Sequence, residues 1–284
     1  MSQKYKFIDE KGVHLHLLWS ERNQDWQALT GTTTIIDVLG KPLTWWASGL
    51  AVAKLGWTNS KIKVDGKYQE VPLEKRIEAL KPVYNQIMQD DEETFLKRLD
   101  EAYKAHSVRL DESADAGTDM HAELEKYVKE CIKKGGEPLE IVVTGNEKVS
   151  DFSVWSYKNV KKFIGSEVSV FNEILFIGGI IDCVAELKDG SYAIIDFKSS
   201  KDAYFSHFVQ CALYDLQLSK NGAFDEKGKK LFELKKPVSK YIVFPFGGKK
   251  LEPVETIKTD SFQKAATACV EIYRQKSAFE NYGN

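Results

Sequence analysis

The spacing of apolar and polar positions divides this chain into a helical first part and a strand-rich second part. Residues 5–19 alternate between apolar and polar side chains, which predicts a strand or a hairpin near the start. Apolar positions then recur at helical spacing over about 45–56 and again over about 72–134. The first part of the chain is therefore expected to be mainly helical.

The long helical region contains signals that should divide it. Pro82 is expected to kink or break its first helix, because proline removes a hydrogen bond from the helix interior. The acidic group Asp90–Glu93 and the segment Asp115–Thr118 mark the expected starts of two further helices. Three separate helices are therefore predicted between Pro72 and Lys134.

Strand patterns are concentrated in the second part, where short apolar runs alternate with turn residues. Helices are expected on either side of these runs. This order predicts an α/β fold: a central mixed β-sheet flanked by helices, with a helical N-terminal part. The expected strands lie at about 167–175, 178–187, 191–198, 239–245 and 251–257, and the helices around them at about 150–164, 202–219 and 260–280.

Two aspartates stand inside apolar strand patterns, where a charge is costly. Asp182 lies in the run IGGIIDCVAEL, and Asp196 lies in the run YAIIDFK, followed two residues later by Lys198. A buried carboxylate costs several kcal/mol unless it is paired or binds a metal. Since side chains alternate along a strand, Asp196 and Lys198 share a face.

The loop between the two strands decides whether Asp182 joins that face. A two-residue turn at Asp189-Gly190 would put the two aspartates on opposite faces of the sheet. A three-residue loop, Lys188-Asp189-Gly190, places Asp182 across from Asp196, and glycine suits the left-handed residue that commonly ends such a loop. We favour the three-residue loop, which predicts a divalent-metal site with an ammonium group beside it, as phosphodiester hydrolysis requires.

Composition and charge limit the function classes only moderately. The formal net charge is −2, so no overall basic field indicates a nucleic-acid partner, although lysines cluster locally, for example over 227–236. No apolar run approaches the ~20 residues of a membrane span. The start, MSQKYKFIDEKG, has no apolar signal core, so a cytoplasmic location is expected. The four scattered cysteines are expected to be buried free thiols.

Three motifs occur in a fixed order around the aspartates. The hairpin supplies Gly179-Ile180-Ile181-Asp182 and Ile194-Ile195-Asp196-Phe197-Lys198-Ser199. Upstream stands Gly117-Thr118-Asp119-Met120-His121, and downstream stands Gln210-Cys211-Ala212-Leu213-Tyr214. In this order they resemble the RecB-like branch of the PD-(D/E)XK nuclease superfamily, over about residues 115–215. The segment Thr32–Trp46 more loosely resembles the N-terminal region of phage and mitochondrial exonucleases of that branch.

The resemblance implies a single nuclease domain over 1–284, with an N-terminal strand and helical region over about 1–110 and a catalytic core over about 111–284. It implies that His121, Asp182 and Asp196 bind Mg²⁺ or Mn²⁺, as one or two ions. Lys198 would orient the attacking water or stabilise the transition state. Some members carry an iron–sulfur cluster on a late C-x₂-C-x₅-C run, which is absent here, so no cluster is expected.

Further residues receive roles from the same resemblance. Gln210 and Tyr214, four apart on one helix face, would help build the site or contact the DNA backbone; ordinary packing is the alternative. An acidic residue often precedes the Asp182 strand in this branch, and both Glu167 and Glu173 qualify; we favour Glu167. Glu125 would orient His121 or be a solvated helix charge.

The implied function is a metal-dependent DNA nuclease, an exonuclease of phage replication, recombination or repair. Its substrate would be single-stranded DNA or a duplex end, and a recombination or single-strand-binding protein is a candidate partner. The alternatives are a nucleic-acid-binding module with a retired site and a restriction-type endonuclease. Trp45, Trp46 and Trp57 would either stack on unpaired bases or pack in the protein core. Strand polarity and oligomeric state stay open.

Overall fold

The structure is a computed structural model that describes residues 4–10, 13–40, 44–57, 61–64, 67–139, 146–248, 251–257 and 260–282. The chain divides into two compact units. The first comprises Met1–Gly40 with Gly117–Asn284, and the second is Lys41–Ala116. The first forty residues therefore belong to the same unit as the two aspartate strands.

The helices and strands follow one another in chain order with short connections. The strands are β1 (Tyr5–Glu10), β2 (Val13–Ser20), β3 (Asp25–Ala28), β4 (Thr30–Gly31), β5 (Lys61–Val64), β6 (Lys67–Glu70), β7 (Val160–Asn172), β8 (Ile177–Leu187), β9 (Tyr192–Lys198), β10 (Ala223–Phe224), β11 (Lys230–Phe232), β12 (Val238–Pro245) and β13 (Val254–Ile257). The helices are α1 (Thr32–Ile36), a 3₁₀ turn (Asp37–Leu39), α2 (Thr44–Lys54), α3 (Leu73–Ile87), α4 (Glu92–Lys133), α5 (Glu147–Asn159), α6 (Phe205–Asn221) and α7 (Asp260–Tyr282).

A mixed sheet forms the centre of the first unit. Its strand order is β11-β10-β7-β8-β9-β12-β13, and β4 pairs in parallel with the start of β8. The pair β9–β12 is also parallel, whereas β7–β8 and β8–β9 are antiparallel. The predicted α/β fold with a mixed sheet flanked by helices is thus confirmed.

Both faces of this sheet are buried, which explains the near-continuous apolar runs in its central strands. On β9, Ile194 joins the apolar cluster that includes α1, α6 and α7, while Ile195 joins the cluster that includes α5 and the end of α4. The same alternation separates Tyr241 from Ile242 on β12. The central strands are therefore held between two helical layers, and their residues are solvent-shielded on either side.

The helix predicted over 150–164 ends earlier. Helix α5 stops at Asn159, and Val160 begins β7, which pairs with β8 along its length. Gly165, the expected helix end, instead lies in the strand at an irregularity of the pairing. Pairing with a long neighbouring strand outweighs the local helical pattern here.

The break that Pro82 was expected to cause, as the alternative to a kink, does not occur, and the helix start predicted at Asp115–Thr118 is wrong. Helix α3 continues through Pro82 without a break, and α4 runs unbroken from Glu92 to Lys133, past the start predicted at Asp115–Thr118. An interior glycine such as Gly117 costs a helix only about 1 kcal/mol. Capping residues favour a helix start without enforcing one, so the helix continues through them.

Candidate metal centre

The β8–β9 hairpin has the three-residue loop that the sequence favoured. Leu187 N–H donates to Ser191 O at 2.8 Å, and Gly190 has a φ of +83°. The pairing runs from Glu186 with Tyr192 to Cys183 with Ile195. Continued by one residue, this register sets Asp182 opposite Asp196, as predicted.

The two strands separate at the aspartates. The backbone ladder ends at Cys183 and Ile195, and the next available donor, Phe197 N–H, donates at 2.7 Å to Asp182 Oδ2 instead of to the backbone of β8. The Asp182 side chain thus takes the place of a strand hydrogen bond. This fixes its carboxylate against β9.

A third carboxylate continues the row on the neighbouring strand. Ser166 pairs with Cys183 and Val168 pairs with Ile181, so Glu167 on β7 stands opposite Asp182. Glu167 has a φ of +49°, a left-handed conformation that non-glycine residues seldom adopt. Glu167, Asp182 and Asp196 therefore form a row across three adjacent strands.

Glu173, the competing candidate, lies elsewhere. Its carboxylate accepts a hydrogen bond from Asn221 Nδ2 at 2.6 Å and pairs with Lys220 at 3.7 Å. Glu173 lies just past the end of β7 at Asn172, whereas Glu167 lies within the strand. Among the described residues, Glu167 joins the group around Asp182 and Glu173 does not.

His121 reaches this group from α4. Its Nε2 donates to Phe197 O at 2.8 Å and lies 3.5 Å from Asp182 Oδ2. Its ring packs edge-to-face against Phe197 and Phe246. Potential ligand atoms of His121, Glu167 and Asp182 all lie within 4.8 Å of one another, which is a spacing that one metal ion can bridge.

Asp196 is nearly inaccessible, with 1% of its surface exposed. Its Oδ1 accepts a hydrogen bond from Lys198 Nζ at 2.8 Å, whereas its buried Oδ2 has no hydrogen-bond partner among the described residues. Burial raises the pKa of Asp196 to about 6; Lys198 opposes this rise and Asp182 adds to it. Burial lowers the pKa of Lys198, but Asp196 and Asp182 outweigh it and keep the ammonium charged.

Glu167 has a strongly raised pKa. Burial raises it most, the charges of Asp182 and Glu125 add to the rise, and the resulting pKa is about 8. Glu125, one helical turn after His121, forms an ion pair with Lys129. The negative charge of Glu125 adds to the raised pKa of Glu167, and among the described residues no hydrogen bond or ion pair joins Glu125 to His121.

Gln210 and Tyr214 contact each other on α6. Gln210 Nε2 donates to Tyr214 OH at 2.9 Å, and both side chains are buried. Burial raises the pKa of Tyr214 well above its usual value, and the charges of Asp196 and Asp182 raise it further. The tyrosine hydroxyl is thus electrostatically coupled to the two aspartates.

Sequence reasoning missed two contributions. The backbone of Phe197 holds both Asp182 and His121, and a backbone group leaves no trace in the sequence beyond its place between Asp196 and Lys198. Thr32 binds the carbonyl of Gly178, at the start of β8, although it lies far away in sequence. Only the loose resemblance of the N-terminal segment pointed to that region.

The predictions for the tryptophans and the cysteines have different outcomes. Trp57 lies under the Arg76 guanidinium, 4.1 Å from the ring centre, and Trp46 is 38% exposed, while the side chain of Trp45 falls outside the described part of the chain. All four cysteines are buried, as predicted. The expectation of no iron–sulfur cluster stays a prediction.

The donor set fits a hard divalent cation. Carboxylate oxygens are the ligands that Mg²⁺ and Mn²⁺ prefer, and an imidazole nitrogen suits Mn²⁺. Three neighbouring acids repel one another unless protons or a cation neutralise them. The unpartnered Asp196 Oδ2 supplies an oxygen whose burial is otherwise uncompensated.

No protein-family model matches the chain, and no curated protein matches it either. None of the helices in the described ranges is both long enough and apolar enough to cross a membrane. The functional argument therefore rests on the residues themselves.

Proposed function

We propose that this protein is a Mg²⁺- or Mn²⁺-dependent deoxyribonuclease of the RecB-like PD-(D/E)XK type, acting as an exonuclease. The observation that supports it is the row of Glu167, Asp182 and Asp196 on three adjacent strands, with His121 and Lys198 beside it. A structural cluster would be expected to satisfy its buried carboxylates, and here one oxygen is left unpaired.

Asp182, Asp196, Glu167 and His121 would hold the cation. A bound divalent cation neutralises phosphate oxygens and lowers the pKa of a coordinated water. If Nε2 of His121 is the ligand atom, it must give up its hydrogen bond to Phe197 O. Asp182 is already oriented by Phe197 N–H, which reduces the cost of ordering it when a cation binds.

Lys198 supplies a fixed positive charge at the site. Its Nζ lies 2.8 Å from Asp196 Oδ1, and its side chain is 22% exposed, so the residue lies near the surface of the site. An ammonium in this position stabilises negative charge on a phosphate or orients the attacking water. Tyr214, which accepts a hydrogen bond from Gln210, brings a neutral hydroxyl close enough for the charges of Asp196 and Asp182 to raise its pKa.

Three accompanying proposals follow from this function. The substrate is DNA, single-stranded or at a duplex end. A recombination or single-strand-binding protein is the proposed partner. The proposed location is the cytoplasm, which is the host cytoplasm for a phage protein.

The decisive experiment is digestion of end-labelled single- and double-stranded DNA, with free or blocked ends, in Mg²⁺, Mn²⁺ or chelator. Cleavage that needs both a cation and a free end is expected. Asp182→Asn should abolish it, and the matched control Glu173→Gln, which changes an acid outside the row, should not. Cleavage of blocked DNA would indicate an endonuclease. DNA binding without cleavage, unchanged by Asp182→Asn, would indicate a retired module.

A further inference from the structure

Thr32 connects two elements that carry the proposed catalytic residues. It is 2% exposed, and its Oγ1 donates to Gly178 O on β8 at 3.0 Å while accepting from Gln217 Nε2 on α6 at 2.8 Å. Strand β8 carries Asp182, and helix α6 carries Gln210 and Tyr214. One buried hydroxyl therefore ties the aspartate strand to the glutamine–tyrosine helix.

The backbone around this hydroxyl is packed too closely for any side chain. A Cβ on Gly179 would lie 2.5 Å from Thr32 Oγ1 and 2.7 Å from the Tyr214 ring. Gly179, which lies three residues before Asp182, is thus packed against both Thr32 and Tyr214. A displacement at Thr32 would move the Tyr214 ring, the strand leading to Asp182, or both.

The N-terminal segment is anchored at the same place by its backbone. Thr30 and Gly31 pair in parallel with Ile177 and Gly178. Gly178 is packed against His16, since a Cβ there would lie 2.6 Å from His16 Cβ. The beginning of β8 therefore owes its position to residues from the first forty of the chain.

We infer that Thr32 is a positioning residue of the candidate metal centre: its hydroxyl fixes β8 against α6, so that Asp182 and Tyr214 hold their places beside Asp196. This inference rests on the proposed nuclease function. It goes beyond that function because it assigns a role in the chemistry to a residue of the N-terminal segment, remote from the sequence motifs.

The test compares Thr32→Val, which keeps the shape and removes the hydroxyl, with Thr32→Ser, which keeps the hydroxyl. Thr32→Val is expected to lower kcat by roughly 10-fold or more, the scale of a small misplacement of reacting groups, with KM for DNA nearly unchanged. It should also weaken Mn²⁺ binding, measured by calorimetry without DNA. Thr32→Ser should restore both properties.

Ser153→Ala is the matched control, because Ser153 is a fully buried hydroxyl that donates to Ser150 O at 2.8 Å in α5. It should change the melting temperature by an amount similar to Thr32→Val and leave kcat and Mn²⁺ binding unchanged. Should Thr32→Val not fold, Gln217→Met removes the other bond of the same hydroxyl and should lower kcat in the same direction.

The outcomes separate the two levels of the proposal. If the wild-type protein neither cleaves DNA nor binds Mn²⁺, the proposed function is wrong, and this inference is wrong with it. An active wild type whose Thr32→Val variant behaves like Ser153→Ala, or is not rescued by serine, would overturn the role of the hydroxyl alone.

Discussion

Two aspartates of the same compact unit are almost equally buried, yet they have different surroundings. Asp215 on α6 accepts hydrogen bonds on both oxygens, from Ser219 Oγ at 2.9 Å and from Tyr241 OH at 2.9 Å, with Gln263 Nε2 at 3.4 Å. Asp196 on β9 has one oxygen paired with Lys198 and, among the described residues, no partner for the other.

This difference supports a structural role for Asp215 and the functional role that we propose for Asp196. The partners of Asp215 come from α6, β12 and α7, so the residue joins three elements. Asp196 instead stands beside a second carboxylate, with a third beyond it, which is unfavourable for folding unless protons or a cation neutralise the group. Burial alone does not distinguish the two; the completeness of the hydrogen bonding does.

The largest expected effect tests this comparison directly. Asp196→Asn should lower the cleavage rate by roughly 10³-fold or more, the scale for losing an essential group, because it removes a proposed metal ligand. The free energy of unfolding should stay the same or rise, since repulsion between acids is relieved. Single-turnover cleavage and urea unfolding measure the two quantities.

Asp215→Asn should show the reverse pattern. The substitution leaves the hydroxyl groups of Ser219 and Tyr241 with a weaker acceptor, and it should lower the free energy of unfolding by about 1–3 kcal/mol. The rate per folded molecule should not change. A loss of activity in Asp215→Asn at full stability, or a loss of stability in Asp196→Asn, would remove the distinction.

Lys198 gives the next largest effect. Lys198→Ala should lower the single-turnover rate by roughly 10²–10³-fold, the scale of one positioned transition-state contact. Mn²⁺ affinity should be unchanged or slightly higher, because a nearby positive charge is lost. Lys198→Arg should rescue poorly, because a planar guanidinium replaces a compact ammonium.

Lys240→Ala is the control for Lys198, since Lys240 pairs with Asp189 at 2.9 Å in the loop of the same hairpin. It should leave the rate unchanged. A near wild-type rate for Lys198→Ala would make Lys198 a structural partner of Asp196 and would remove its proposed role in the transition state.

The next largest effect is the pH dependence of stability that the two acids with raised pKa should cause. Glu167 has a pKa of about 8 and Asp196 of about 6, both raised first of all by burial, with Asp182 adding to each. The folded protein then holds protons that the unfolded chain has lost, so the free energy of unfolding of the metal-free protein should fall as pH rises from about 4 to about 8.

Mn²⁺ binding should have the opposite pH dependence. A cation must displace those protons, so its apparent affinity should rise from pH 6 to pH 8 and level off above. Glu167→Gln should remove the upper part of this rise, whereas Glu173→Gln should not. Calorimetric titrations at several pH values measure it, and a pH-independent affinity would argue against Glu167 as a ligand.

The sequence alone predicted the structure correctly where it depends on short-range rules of strand and loop geometry. The positions of Asp182, Asp196 and Lys198 followed from strand alternation and a glycine-ended loop, both short-range properties. It failed where long-range pairing decides, as at residues 160–164, which join β7 because β8 lies beside them. The contacts of Thr32 with Gly178 and of His121 with Phe197 O required the folded chain, since no sequence spacing specifies them.

The smallest expected effect uses two glycines of the aspartate hairpin. Gly190, at a φ of +83°, has open space where a Cβ would stand, so Gly190→Ala should cost only backbone strain of about 1–2 kcal/mol and leave the rate unchanged. The methyl group of Gly179→Ala would meet Thr32 and Tyr214, so this substitution should lower the rate as well as the stability.

If Gly190→Ala lowered the rate of the folded protein, the loop would be setting the position of the aspartates more strongly than the contacts around Gly179. If Gly179→Ala left the rate unchanged, the site would tolerate movement at the start of β8, and the closeness of Thr32, Gly179 and Tyr214 would matter for stability only.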